Sequence, residues 1–587
     1  MPASSTTTML VTCNVRIPMR GGVQLVADIY LPASEGQWPV ALFRCPYDRT
    51  DPEMGQQRIV DPSWLSRQGF AVVVQDTRGR GESEGTFDPV YQEVDDGYDT
   101  VEWAAVQPWS TGAVGIYGSS YMGITSYQAM TGKPPHLRAA IPFVATPASL
   151  FERPFGDMFE AEFYGWYALL TARMTIARMD LDPAEKEALL VRTLPGLIKP
   201  ADVFAELPLS EVDVLSDKAL APDWHHHLTE PNKATAEPSK KLLADTGSVG
   251  DVALLHITGY RDFLARSVFE LAARLAGHPN HRLIAGPWTH RGPYSGATGA
   301  RELPETSSPA GPLGWGPLIA AWFDIHLRGG TGAAYPGAAR WLQQKDPVVY
   351  YIEGENKWAS APRWPPASVQ REWRLTSGGD ARSSHGNGRL LFPGAMPEKD
   401  ASDCLTADPN NPFPTWGGAL GNPSQGGDGI QDQRQFDHRK DLLVYTSEIL
   451  SSAVRIAGSQ TFSLHLSSTA PDADICVNLV DVEPPGFAYN VSEGFLRTRY
   501  RRGGTTDWLR RETAEEINMS LAHTAHVFKP GHRIRIMLAG ANYPRFSRNL
   551  HTKVVPEFGT MSQAVAAEHT VHHGRSNSSV LVLNEIV

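Results

Sequence analysis

The sequence predicts an α/β fold: a largely parallel sheet, a helical insertion within it, and an all-β sandwich after it. Three observations carry this. Dense aliphatic strand patterns alternate with helical ones in the first 145 residues and return after residue 246. Between those groups the strand pattern stops and helical spacing takes over. After about residue 365, short strands divided by turn signals replace the helices. At 587 residues the chain is also too long for one core. The divisions expected are 1–145 with 246–365, then 146–245, then 366–587.

In chain order, VQLVADIYLP reads as a strand ending at Pro32. WPVALFRCPYD and FAVVVQDTRG have the aliphatic density of buried parallel strands, DDGYDTVEWAAVQPW follows as a helix, and GAVGIYGSS as a further strand. VALLHITGYRD and HRLIAGPWTH resume the sheet much later. In the insertion, DPAEKEALLVRTL has Asp182 as N-cap, Pro183 at the first helical position and Glu185 where a capping box needs it. EAEFYGWYALLTARMTIARM also spaces its apolar residues as a helix does. The late strands are TFSLHLSS, DICVNLVDV, FLRTRYRR, EINMSL, RIRIMLAG and SVLVLNEI.

Hydrophobic residues make up 41% of the chain and charged residues 20%, as in ordinary soluble proteins. A formal charge of −11 without a Lys/Arg block argues against a nucleic-acid binder. No apolar run is long enough to span a bilayer, and the N-terminus lacks the pattern of a signal peptide. Cys13, Cys45, Cys404 and Cys476 are scattered, with no C-x-x-C pair, so reduced thiols and a cytoplasmic setting are expected.

The sharpest local signal is GIYGSSYMG. A nucleophile elbow holds its serine in a strained strand-to-helix turn, where small residues relieve crowding. Ser120 has Gly118 two residues before it, whereas Ser119 would have Tyr117 there. Met122 stands where the generic second glycine belongs, and Gly123 follows. A serine needs a base to take its proton. His290 follows a predicted strand directly, at the end of the sheet where reactive groups gather. His256 and His281 lie within or at the start of strands. The run His225–His226–His227 cannot readily converge on one metal ion and reads as a polar loop. Asp262 closes the strand before His290 and would hold its imidazole in the productive tautomer. Asp324 reads as a structural helix residue.

Charge developing on a substrate oxygen needs donors. The backbone N–H of Tyr121 is one, and the Tyr47 phenol, just after the third strand, is a second candidate; core packing is the alternative for Tyr47. DTRGRGESEG lacks the G-K-[ST] ending of a phosphate loop and is expected to shape the site's border. The cap segment groups Phe163, Tyr164, Trp166, Tyr167, Leu169 and Leu170, which could line a pocket or merely glue the cap down. Trp166, Phe263 and Trp288 are the candidate pocket residues. Asp157, Glu160 and Glu162 could bind a substrate ammonium.

Together these residues resemble the cocaine esterase and X-Pro dipeptidyl-peptidase family of serine hydrolases, which includes α-amino-acid ester hydrolases. The G-x-S-Y-x-G elbow is matched by Gly118, Ser120, Tyr121 and Gly123, and the P-Y-D segment by Pro46, Tyr47 and Asp48. The D-x-R-G-x-G-x-S-x-G loop is matched by Asp76, Arg78, Gly79, Gly81, Ser83 and Gly85, and G-P-W-S/T-H by Gly286 to His290. GYRD resembles the aspartate segment, with Arg261 where cocaine esterase-like members carry an aromatic. The resemblance implies an α/β-hydrolase core, a helical cap over the site, a C-terminal jelly-roll and an oxyanion-binding Tyr47.

The leading expectation is ester hydrolysis through an acyl-serine, with a small-molecule ester or amide as substrate. Amide or peptide cleavage is the alternative, including X-Pro dipeptide release and amino-ester hydrolysis. A carbohydrate-binding or adhesive protein is the reading from another class. No metal or organic cofactor is expected. A homo-oligomer is left open.

Overall fold

A computed structural model of the protein describes residues 9–586, apart from 52–58, 89–91, 149–157, 222–223, 225–227, 229–241, 244, 296–297, 305–313, 422–426, 485 and 504–505. His225–His227 and Asp157 lie outside the described residues.

The first sheet has ten strands: β1 (Leu10–Pro18), β2 (Gln24–Leu31), β3 (Trp38–Cys45), β4 (Ala71–Asp76), β5 (Ser110–Ser119), β6 (Leu137–Phe143), β7 (Ala253–Arg261), β8 (His281–Thr289), β9 (Val348–Ile352) and β10 (Lys357–Ala361). Their spatial order is β1-β2-β4-β3-β5-β6-β7-β8-β9-β10. From β4 to β9 all neighbours run parallel. β1, β2 and β10 form antiparallel edges. The central strands are aliphatic on both faces because both faces are covered. On one side of β5, Phe323 from helix Gly316–Arg328 packs so closely that a Cβ on Gly115 would sit 2.6 Å from its ring. On the other, Gly118 presses against Met122 of α3 (Tyr121–Thr131).

α1 (Pro62–Arg67) and α2 (Glu93–Ala105) connect the early strands. β6, which strand density does not single out in the sequence, carries Pro142 in register with Gly118. In the insertion, α4 (Ala161–Arg178) packs against α5 (Pro183–Ile198). The capping box of α5 is formed. The Asp182 carboxylate accepts from the N–H groups of Ala184 (2.8 Å) and Glu185 (2.9 Å), and the Asp182 N–H donates back to Glu185 at 3.1 Å.

From Ser368 to Ile586 the chain forms a thirteen-stranded β-rich domain. Its strands alternate as expected, with Phe462, Leu464 and Leu466 of Thr461–Ser468 turned inward. The segment FLRTRYRR is not one strand. Its first three residues end strand Ala488–Arg497, and Thr498–Tyr500 turn as a short 3₁₀ helix. A separate apolar cluster, including Tyr260, Phe269, Trp364, Ala525 and Val527, joins the domain to the first sheet. Backbone bonds cross there too, Glu353 N–H to Ala525 O (3.0 Å) and Val527 N–H to Glu353 O (2.9 Å). No disulfide links the four cysteines. Among the described residues no helix is long and apolar enough to cross a membrane.

Candidate active site

Ser120 stands between β5 and α3 with φ 54° and ψ −127°, a backbone conformation that costs a non-glycine residue on the order of 1–3 kcal/mol. The flanking glycines make this turn possible. A Cβ on Gly118 would lie 2.5 Å from the Met122 side chain, and one on Gly123 would lie 2.5 Å from Ala145 and 3.0 Å from the Gly118 carbonyl. Position 123 therefore needs the glycine, and Met122 fills the core beneath Gly118.

His290, one residue past β8, places Nε2 3.0 Å from Ser120 Oγ, and its Nδ1 lies 2.8 Å from Asp262 Oδ1. The His290 side chain is 13% exposed and Asp262 is buried. Asp262 follows β7 directly and accepts a further bond from the Leu264 N–H at 3.1 Å. The structure thus brings the three residues into one chain of hydrogen bonds. His256 is instead buried, with Nδ1 2.6 Å from the Tyr127 hydroxyl, and His281 packs against its ring. Asp324 caps the Gly332 N–H (3.0 Å) and pairs with Arg328 one turn along its helix.

Tyr47 lies close enough to Ser120 for the serine side chain to act on its phenol. Burial, then the nearby Cys45, pushes that phenol's pKa up, so it stays a protonated donor at neutral pH. Its neighbour Arg49 is locked in place. The Arg49 N–H donates to Asp76 Oδ1 at 2.6 Å, and its guanidinium pairs with Asp76, Asp28 and Glu82. Gly81, at φ 48°, lets the loop close on that carboxylate; a Cβ there would sit 2.1 Å from Asp76 Oδ2. Ser83 accepts from the Val26 N–H and donates to the Asp76 carbonyl, both at 2.8 Å. This glycine-rich loop is therefore a brace for the tyrosine's segment. Tyr121 opens α3, so its backbone N–H belongs to the helix's first turn, beside Ser120. Its ring is buried against Phe87 and Tyr47.

Of the expected pocket residues, Phe263 lies at the site, its ring 4.8 Å from His290 and 4.4 Å from Phe163 of α4. Phe163 thus packs on Phe263, which in turn packs on His290. Trp166 is half-buried and packed against the main core. Trp288 is buried in the main core. Its indole folds back over Gly286 and is buried between Trp315 and Trp358. Arg261 turns into the domain interface and pairs with Glu353. Glu160, expected as an ammonium partner, is buried against Arg545 Nε at 2.9 Å, a guanidinium that it shares with Glu493. Glu162 is buried as well. Arg545 was not legible as a partner, because it lies nearly 400 residues downstream and nothing local marks it.

A doubly covered α/β sheet with a serine in a strained strand-to-helix turn and a histidine–aspartate pair on later strand ends is the architecture of an α/β-type serine hydrolase. Residues 21–292 match the family described as X-Pro dipeptidyl-peptidase (S15 family), and residues 339–582 its C-terminal non-catalytic domain. The chain is 32% identical to the cocaine esterase of Rhodococcus sp. (strain MB1 Bresler) over 585 residues, 98% of each chain. It belongs to this family of serine hydrolases. An α-amino acid ester hydrolase (TM-score 0.79, 23% identity) and an aminopeptidase from a Thaumarchaeota archaeon (0.79, 21%) share the fold, each over 100% of this chain and 98% of theirs.

Proposed function

We propose that the protein hydrolyses carboxylic esters through an acyl-serine intermediate. The observation that carries this reading is the continuous hydrogen-bond chain from Ser120 through His290 to Asp262, facing Tyr47. Ser120 Oγ attacks the carbonyl carbon while His290 Nε2 takes its proton, and Asp262 stabilises the imidazolium. The carbonyl oxygen, now negative, is held by the Tyr47 hydroxyl and the Tyr121 N–H. Collapse expels the alcohol, protonated by His290. A water activated by the same imidazole then releases the acid and restores the serine.

Two features favour an ester with an uncharged acyl group. Phe163 and Phe263 make an aromatic wall beside His290, suited to burying an apolar acyl surface. Glu160 is engaged by Arg545, which removes one carboxylate from the set that could hold an ammonium.

The test compares an aryl ester with the matching Xaa-Pro amide, and a free-amine amino-acid ester with its N-acylated form. Ester kcat/KM should exceed that of the amide by more than their intrinsic reactivity gap, with no premium for the free amine. A strong free-amine preference would place the chain with amino-ester hydrolases or dipeptidases instead. Ser120→Ala should abolish turnover and fluorophosphonate labelling; a labelled mutant would move the nucleophile elsewhere.

A further inference from the structure

The residue immediately before Asp262 makes contacts that the chemistry above does not use. Arg261 ends β7 and is buried, as is Glu353, which follows β9. The two pair through both guanidinium nitrogens, one of them NH2 to Glu353 Oε2 at 3.0 Å. The same NH2 donates across the domain boundary to the carbonyls of Asn490 (3.3 Å) and Val491 (3.5 Å). Behind the pair, His526 Nδ1 stands 3.8 Å from Glu353, its Nε2 3.0 Å from Asp481, and His532 closes the chain at 2.9 Å from Asp481. The hydroxyls of Tyr260 and Tyr351 also lie within electrostatic reach of Glu353.

Strand Ala488–Arg497 is the common anchor. The Asn490 side chain accepts from the Gln431 N–H (2.7 Å) and donates to the Gly429 carbonyl (3.0 Å). Ile430, between them, is paired with Thr298 and Ala300 on the segment after His290. Three positions along the strand, Glu493 takes Arg545 NH1 at 2.7 Å, and Arg545 holds Glu160 at the start of α4. One strand thus reaches the acid's turn, the chain beyond the base, and the cap.

Resting on the triad reading, we infer that Arg261 is a positioning residue that sets the orientation of Asp262, and that it does so from the docked β-rich domain. The fork of a guanidinium fixes direction as well as distance, because its terminal nitrogens meet a carboxylate and two carbonyls at once. Asp262, one peptide bond away, inherits that constraint.

The decisive variants are Arg261→Met and the double variant Arg261→Met/Glu353→Met, made in the full chain. The single variant leaves the buried Glu353 carboxylate with only His526 beside it as a cation and is expected to unfold more readily. The double variant removes both charges and should recover stability, so its kinetics report position alone. It should keep KM within about threefold, lose roughly 10–100-fold in kcat, and shift the acid limb of its pH–rate profile to lower pH, since a displaced Asp262 supports the imidazolium less. A double variant with wild-type kcat and acid limb would overturn the inference. Asp262→Asn, measured alongside, separates the two failures. If it retains activity, the triad assignment is wrong; if it loses about 10⁴-fold while the double variant is unimpaired, only the role of Arg261 is.

Discussion

If Tyr47 holds the oxyanion as proposed, its phenol can be removed to test that role alone, because it is no part of the hydrogen bonds among Ser120, His290 and Asp262. Tyr47→Phe should lower kcat by about 10²–10³-fold with little change in substrate binding. Unchanged kcat per folded molecule with a lower melting temperature would make the residue a core tyrosine. The brace behind it explains why two distant sequence segments share one purpose. P-Y-D presents the phenol, and the glycine-rich loop holds Arg49 through Asp76. Each was visible in the sequence, but their contact was not, because a buried ion pair leaves no periodic trace.

Among elements, the turn from β5 into α3 is tightly constrained. Gly123→Ala would drive a methyl group against Ala145 and two backbone carbonyls. It should cost about 1–3 kcal/mol through overpacking. Because relief requires α3 to move off the sheet, fluorophosphonate labelling of Ser120 should slow as the melting temperature falls. Full-rate labelling in a destabilised variant would show that the helix start tolerates the shift. This turn and the cap helices were legible because local rules govern them: a strained serine needs glycines, and Asp182 needs Glu185. Trp288, a candidate for the pocket, instead lays its indole back along the strand over Gly286, a fold-back that the sequence does not mark. Strand Ala488–Arg497 was the hardest to read. Asn490, Ser492, Glu493 and Arg497 are buried in it, and their polarity resembles a loop until the distant partners are known.

At the scale of the whole molecule, the domain junction carries a pH signature. Burial pushes Glu353 upward, but Arg261 and His526 overcome it and leave its carboxyl at about 2. Asp481 is likewise held low by His526 once burial is outweighed, and His526 is raised by Asp481 and Glu353 against its own burial. The depressed carboxylates contribute stability above their ordinary range, near about pH 4, and lose it as pH falls through their folded values. The raised histidine contributes fully below about pH 6.5 and loses its share as pH rises through its folded value. Docking should therefore be tightest between about pH 4.5 and 6.5. In thermal unfolding, His526→Gln should flatten the alkaline side of the wild-type profile. Parallel curves from pH 6 to 9 would mean that His526 is uncharged in the fold.

The long reach of strand Ala488–Arg497 also bears on biosynthesis. The hydrolase sheet is complete once Ala361 has left the ribosome, and Ser120 by then has its histidine and aspartate in the nascent chain. The anchor for the acid's turn, the base's loop and the cap emerges more than a hundred residues later. At ~5–20 residues per second, that is a delay of roughly ten seconds. If Arg261 positions Asp262 as inferred, a chain at that stage would hold the three site residues without the strand that orients them, and a fragment ending before Ala488 should label with fluorophosphonate more slowly than the full chain.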